Sequence, residues 1–289
     1  MADKALSVAG GHVKAREISI PMRDGRQSRA LLYQPTKQAE TPKPLIVLIH
    51  GGGFCYGSAD MEAGNCIRAV EAYGCVALSL SYRLAPEAKF PAATDDCWDA
   101  FKWITKHAEE LEADLSKGFI LGGTSAGGNI ASVLSHLALD EHVLPPLTGL
   151  YLNVPLLLAP EAVPEKWSEL YKSRQQNSQS PVLNKAFMDM YTEAYAADVQ
   201  SHVWSPFNWP GGHQGLPATY FQVCGLDVLR DEALIYEKVL REECGTPTKV
   251  NLYPGLPHMF VPNFPTHSSS IKYPEDTTKG LGWLLSFTS

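Results

Sequence analysis

Two rhythms alternate along this chain. Short apolar runs with no polar position predict strands buried on both faces, the clearest being LIVLI at residues 45–49, between Pro44 and a glycine triplet. Further strands are predicted at 75–80, 118–123, 147–154, 219–223 and 250–253. Between them, apolar residues recur at three- and four-residue spacing and predict helices at 62–73, 93–112, 230–243 and 275–286. Another helix opens after TSAGGN (124–129) and carries Ile130, Val133, Leu134 and Leu137 on its apolar side. Upstream, 13–20 and 29–33 predict an antiparallel pair joined through the Asp24-Gly25 turn. Strands and helices in this alternation predict an α/β fold, with a largely parallel sheet covered on both faces in a single domain.

Residues 160–205 break the rhythm. This stretch has no strand pattern and is polar and aromatic, with Trp167, Tyr171, Met188, Met190, Tyr191, Tyr195 and Trp204. Two helices are predicted in it, at 164–176 and 184–198. An insertion of this length between regular elements is usually a lid or a binding segment.

Composition narrows the function classes. The 289 residues carry a net charge of -7, and no run of Lys and Arg forms a basic stripe, which excludes a nucleic-acid partner. Charged residues from Lys4 to Arg29 interrupt any leader-like apolar stretch, and no segment approaches a membrane span. The expectation is a soluble, cytoplasmic protein with no membrane partner. The six cysteines form no C-x-x-C and are expected to be reduced thiols. Neither a metal nor a cofactor motif is present: there is no H-E-x-x-H, no P-loop and no G-x-G-x-x-G.

The chemistry concentrates in a few blocks. Gly123-Thr124-Ser125-Ala126-Gly127 is a G-x-S-x-G between a predicted strand and helix, the pattern of a nucleophile elbow. A strand turning abruptly into a helix crowds its backbone, and small residues around the serine relieve the crowding. Ser125 then stands at a helix N-terminus, where N–H groups and the dipole favour negative charge. A serine needs a base. His136 and His142 lie in or just after the helix that Ser125 opens, and His202 and His213 in or beside the insertion. His258, in PGLPHMF, follows the strand at 250–253 on the sheet edge that carries Ser125, and is the expected base. The acid should leave the preceding strand. Asp227 follows it directly, whereas Asp231 and Glu232 sit where a helix begins and need no catalytic explanation. Glycines in HGGGF (50–54) would let backbone N–H groups approach an oxyanion. Gly52 and Gly53, with Ala126, are the expected donors, and His50 is expected to anchor their loop.

With these residues in place, the chain resembles the hormone-sensitive-lipase-like branch of the α/β-hydrolase superfamily, a group of carboxylesterases. The resemblance is carried by HGGGF (50–54), SYRLAPE (81–87), FPAATDDCWDA (90–100), GTSAGGN (123–129), GLDVLRDE (225–232) and PGLPHMF (254–260). It implies an eight-stranded, mostly parallel sheet with helices on both faces and a helical cap. It implies Ser125, Asp227 and His258 as the triad and Gly52, Gly53 and Ala126 as the oxyanion hole. It also implies a cap of residues 1–11 and 160–205 over a core of 12–159 and 206–289, with Phe54, Trp167, Tyr171, Met188, Tyr191, Tyr195 and Trp204 as pocket candidates. YRLAPE is taken as a structural brace for the oxyanion loop. Thr124 stands where many relatives have Asp, a difference shared by a sub-branch. The short segment before Val13 leaves little for an N-terminal part of the cap, and a homodimer is the one protein partner to consider.

The expected reaction is hydrolysis of short- to medium-chain carboxylic esters through an acyl-serine. Two other readings share the fold: a small-molecule receptor, against which His258 argues, and a hydrolase of an amide, a lactone or a natural-product acetyl ester. The insertion has no long apolar stretch suited to an interfacial lipase.

Overall fold

The computed structural model describes residues 4–6, 11–37 and 43–288. Its strands are β1 (Lys4–Leu6), β2 (Val13–Pro21), β3 (Gln27–Pro35), β4 (Leu45–Ile49), β5 (Val76–Leu80), β6 (Phe119–Thr124), β7 (Gly149–Asn153), β8 (Ala218–Cys224) and β9 (Thr248–Tyr253). They pair into one sheet in the order β1-β2-β3-β5-β4-β6-β7-β8-β9. β1, β2, β3 and β5 are joined by antiparallel pairs, and every pair from β5 to β9 is parallel. The helices are α1 (Ala63–Tyr73), α2 (Ala92–Lys106), α3 (Ala126–Asp140), α4 (Glu165–Ser168), α5 (Ser173–Gln176), α6 (Lys185–Tyr195), α7 (Arg230–Glu242) and α8 (Ser268–Leu285).

The apolar run of β4 shows why the sheet lies in the middle of the molecule. Side chains alternate across a strand. Leu45, Val47 and Ile49 join one apolar cluster with Phe101 and Ile104 of α2, Ile130 and Leu134 of α3 and Leu240 of α7. Ile46 and Leu48 join the other, with Cys66 and Val70 of α1 and Leu281 and Leu284 of α8. Each such side chain contributes about 1.5–3 kcal/mol on burial. A parallel sheet also aligns its strand ends, so β4, β6, β8 and β9 all deliver their following loops to one edge.

The expected eight strands are β2 to β9, and β1 adds a ninth at the antiparallel edge. Lys4–Leu6 therefore lies on the sheet and not in a cap, and the rest of the segment assigned to the cap before residue 11 lies outside the described residues. The helix predicted to reach 112 stops at Lys106, because a bridge between Lys43 and Ala113 draws the following chain out of helical geometry. The helix predicted from 275 starts at Ser268 and runs through Pro274, packing Tyr273, Asp276 and Thr277 inward. In the insertion, the helix predicted at 164–176 is two short pieces, α4 and α5. They break where the Asp231 carboxylate accepts the N–H groups of Lys172 and Ser173 at 2.7 and 2.6 Å. α6 begins with the Asn184 side chain accepting the Phe187 N–H and ends at Ala196, in left-handed backbone. No helix among the described residues is long and apolar enough to cross a membrane.

Candidate active site

β6 runs directly into α3, and Ser125 sits at the junction with φ 56° and ψ −115°. A non-glycine residue in such a conformation costs of order 1–3 kcal/mol and persists only where its surroundings over-determine it. Here Ser125 N–H donates to the Asn153 carbonyl at 2.8 Å, and Asn129 N–H donates to the Ser125 carbonyl at 3.0 Å. The crowding expected of the turn is measurable. A β-carbon at Gly127 would stand 2.1 Å from the Ile49 carbonyl oxygen, and one at Gly123 would stand 2.2 Å from that of Gly127.

The loops after β8 and β9 bring Asp227 and His258 to this junction. His258 Nε2 lies 3.0 Å from Ser125 Oγ, and Nδ1 lies 2.7 Å from Asp227 Oδ2. The other carboxylate oxygen of Asp227 accepts the Leu229 N–H at 3.0 Å. An ionised carboxylate only accepts, so the ring proton resides on Nδ1 and Nε2 presents a lone pair to the serine. Asp227 and His258 are both buried. The two loops are tied by backbone bonds, Gly225 N–H to Tyr253 and Leu226 N–H to Leu256. From the insertion, Asn177 Nδ2 donates to the Asp227 carbonyl at 2.8 Å. The neighbouring acids are engaged elsewhere. Asp231 holds the start of α5, while Glu232 accepts the Leu158 N–H at 2.9 Å and an Arg174 N–H at 3.2 Å.

After β4 the chain turns through Gly52 at φ 116° and Gly53 at φ 58°, conformations a side chain would oppose. Among the described residues, no hydrogen bond uses the N–H of Gly52, Gly53 or Ala126. All three residues line the cavity into which Ser125 opens. His50 braces the loop from behind and does not reach the cavity. Its Nδ1–H donates to the Gly51 carbonyl at 2.7 Å, and its ring stacks on Tyr82 at 4.2 Å. Burial pushes this imidazole down to about 4, so it stays neutral at ordinary pH. Tyr82 Oη donates to the His50 carbonyl at 3.0 Å, and Ala85 N–H donates to that of Phe54 at 2.8 Å. The YRLAPE block thus touches the glycine loop after β4 directly.

The cavity holds about 290 Å³. Phe54, Met188, Tyr191 and Trp204 line it, as expected. Tyr195 stands one layer back, stacked on Phe54 at 4.4 Å. Trp167 and Tyr171 do not line it. Trp167 is buried within the insertion under Lys166 Nζ, and Tyr171 Oη donates to the Leu158 carbonyl while accepting from Arg174. Their aromatic character serves the packing of the cap. Leu156, Leu183, Leu229 and Met259 also line the cavity and were not singled out. Leu229 and Met259 sit inside motif blocks, where neighbourhood to Asp227 and His258 was the available signal; Leu156 and Leu183 carried none.

Comparison with known proteins supports the fold. Residues 46–262 match a family described by its alpha/beta hydrolase fold. An AB hydrolase superfamily protein of Schizosaccharomyces pombe is 39% identical over 274 residues, covering 95% of this chain and 80% of that protein. A versiconal hemiacetal acetate esterase of Dothistroma septosporum is 30% identical over 246 residues, covering 85% of this chain and 74% of its own length. Among solved structures, that of a vibralactone cyclase superposes with a TM-score of 0.91 at 31% identity, covering 97% of this chain and 82% of that one. The chain belongs to the α/β-hydrolase fold family, in keeping with its resemblance to the hormone-sensitive-lipase-like branch.

Proposed function

We propose that the chain is a serine carboxylesterase that cleaves short- to medium-chain esters through an acyl-serine intermediate. The observation that carries this reading is the relay from Ser125 Oγ through His258 to Asp227, at 3.0 and 2.7 Å, facing three unengaged amide N–H groups across a small apolar cavity. Ser125 Oγ attacks the ester carbonyl as His258 Nε2 takes its proton. The oxyanion accepts N–H bonds from Gly52, Gly53 and Ala126, each such donor contributing about 2.7–4 kcal/mol to the transition state. Asp227 stabilises the imidazolium without taking its proton. His258 then protonates the leaving alkoxide, and a water activated by the same imidazole releases the acid. The esterase name of the Dothistroma relative supports the same class of reaction.

Ser125→Ala is expected to abolish hydrolysis of p-nitrophenyl butyrate and labelling by a fluorophosphonate. Full activity in that variant would overturn the assignment. A second reading takes a lactone as the acyl substrate, a bond the same relay would open; the likeness to the structure named for a vibralactone cyclase, a name for closing such a ring, brings lactone chemistry to the same fold. A Ser125-dependent rate on a lactone that exceeds the rate on every simple ester would select it.

A further inference from the structure

The insertion is fastened to the loop that follows β8. Among the described residues, its hydrogen bonds to residues 225–232 all come from one short stretch, 172–177. Asp231 Oδ2 accepts the N–H groups of Lys172 and Ser173, and the Asp231 N–H donates to Ser173 Oγ at 3.1 Å. Arg174 donates to Glu232 at 3.2 Å, and Arg230 donates to Gln176 Oε1 at 2.7 Å. The other two bonds land on successive main-chain carbonyls. Ser173 Oγ donates to that of Val228 at 2.8 Å, and Asn177 Nδ2 donates to that of Asp227 at 2.8 Å. α6, which carries Met188 and Tyr191 to the cavity, makes none of these bonds.

The bond from Asn177 gains its weight from what else holds the Asp227 backbone. The carboxylate can be no better placed than the main chain that carries it, and Oδ2 must stay 2.7 Å from His258 Nδ1. The Asp227 N–H reaches the Cys224 carbonyl only at 3.3 Å, and the Arg230 N–H reaches the Asp227 carbonyl only at 3.3 Å. Both are longer than the about 2.7–3.2 Å of a well-formed N–H···O bond. The Asn177 amide is therefore the firmest hold on this turn. Asn177 and Ser173 are buried, so water does not compete for the two carbonyls. Asn177 does not line the catalytic cavity, which leaves it no contact with a substrate there.

We propose, on the basis of the esterase reading, that Asn177 is a positioning residue: by fixing the Asp227 carbonyl, the insertion sets the place of the carboxylate and, through it, the orientation of His258. The insertion and the relay are then one mechanical unit, and a side chain outside the cavity acts on kcat. A misplacement of about 1 Å at a reacting group can cost about 10² in rate, so a single amide is enough to matter.

The test is a double-mutant cycle on kcat for p-nitrophenyl butyrate, expressed per folded molecule by circular dichroism, in the wild-type and Asp227→Ala backgrounds. With Asp227 present, Asn177→Ala is expected to lower kcat about 10- to 10²-fold and to leave KM within about twofold. With Asp227→Ala no carboxylate is left to place, and the same substitution is expected to change kcat by less than about twofold. Asn177→Asp keeps the shape and turns an acceptor toward the carbonyl, so it must reproduce the pattern, and it carries the test where Asn177→Ala folds poorly. Equal factors in the two backgrounds, a loss confined to KM, or a wild-type kcat overturns the proposal and leaves Asn177 a fastener of the insertion. Asp227→Ala by itself separates this from the underlying reading. Full activity there removes the relay; a loss there, with Asn177 acting additively, removes only the positioning role.

Discussion

Asp227→Asn is the sharpest test of the relay, because it keeps shape and removes one property. The carboxylate accepts two N–H groups, that of Leu229 at Oδ1 (3.0 Å) and that of His258 Nδ1 at Oδ2 (2.7 Å). An asparagine has one acceptor oxygen and one NH₂, so it cannot satisfy both. If the NH₂ faces Leu229, two donors meet in a buried turn, at a cost of about 1–3 kcal/mol. If it faces His258, the imidazole switches tautomer and keeps a full set of hydrogen bonds, so this arrangement wins. Nε2 then carries the proton and points it at Ser125 Oγ, and the serine has lost its base. In a serine–histidine–aspartate triad this change costs about 10⁴ in kcat, or about 5.5 kcal/mol. The assay is kcat for p-nitrophenyl butyrate near neutral pH, with a thermal melt to confirm folding and intact mass to exclude deamidation back to aspartate. A folded Asp227→Asn enzyme within tenfold of wild type would show that the acid is elsewhere and that the 2.7 Å contact is not used.

Two further outcomes follow from the same geometry. Gly53→Ala should lower kcat/KM by at least about 10², the low end for losing one oxyanion donor, because its β-carbon would stand 2.5 Å from the Tyr191 ring in left-handed backbone; kinetics within threefold of wild type would place the oxyanion donors elsewhere. Burial holds His50 at about 4 and His136 at about 3, against about 6.5 for a histidine in the unfolded chain. The folded state therefore binds fewer protons, so their contribution is complete above about pH 6.5 and is lost as the pH falls, at about 1.4 kcal/mol per pH unit for each group. Tm should drop by on the order of 10 °C between pH 6.5 and 4.5, and a flat Tm across that window in scanning calorimetry would contradict it.

The parts of this site that were legible in the sequence are those held by the sheet. Ser125 and Asp227 each follow a strand of near-continuous apolar character and His258 follows the alternating edge strand β9; parallel strands must bring their ends to one edge, so order along the chain translated into position in space. The early glycines were legible for the same reason, since they directly follow β4. The insertion lacked such a constraint. Its first predicted helix is split by hydrogen bonds to Asp231, about 58 residues further on, which no local pattern announces. Trp167 and Tyr171 had the composition of pocket residues but turned toward the packing of the cap, because an aromatic ring on an irregular segment has no periodicity to tell its inner face from its outer one.

Thr124 shows what a local motif leaves out. Next to Ser125, it stands where many relatives carry an acid, and the sequence alone marks only the difference. In the structure Thr124 Oγ1 donates to Glu62 Oε1 at 2.7 Å and accepts from Asn153 Nδ2 at 3.2 Å. Asn65 Nδ2 donates to the other oxygen of Glu62, and burial pushes this carboxyl up from its ordinary range. Asn153 in turn accepts from Tyr273 Oη and, through its carbonyl, receives the Ser125 N–H. An acidic group therefore does stand beside the elbow, delivered by the segment leading into α1. One of its partners, Thr124, binds the same asparagine that holds Ser125 in its strained conformation. A buried acid with both oxygens engaged as acceptors, set back from the cavity lining, suits a brace. The strain at Ser125 is balanced across three elements, β6, β7 and the start of α1, which is why the sequence of β6 alone did not reveal what stands beside this serine.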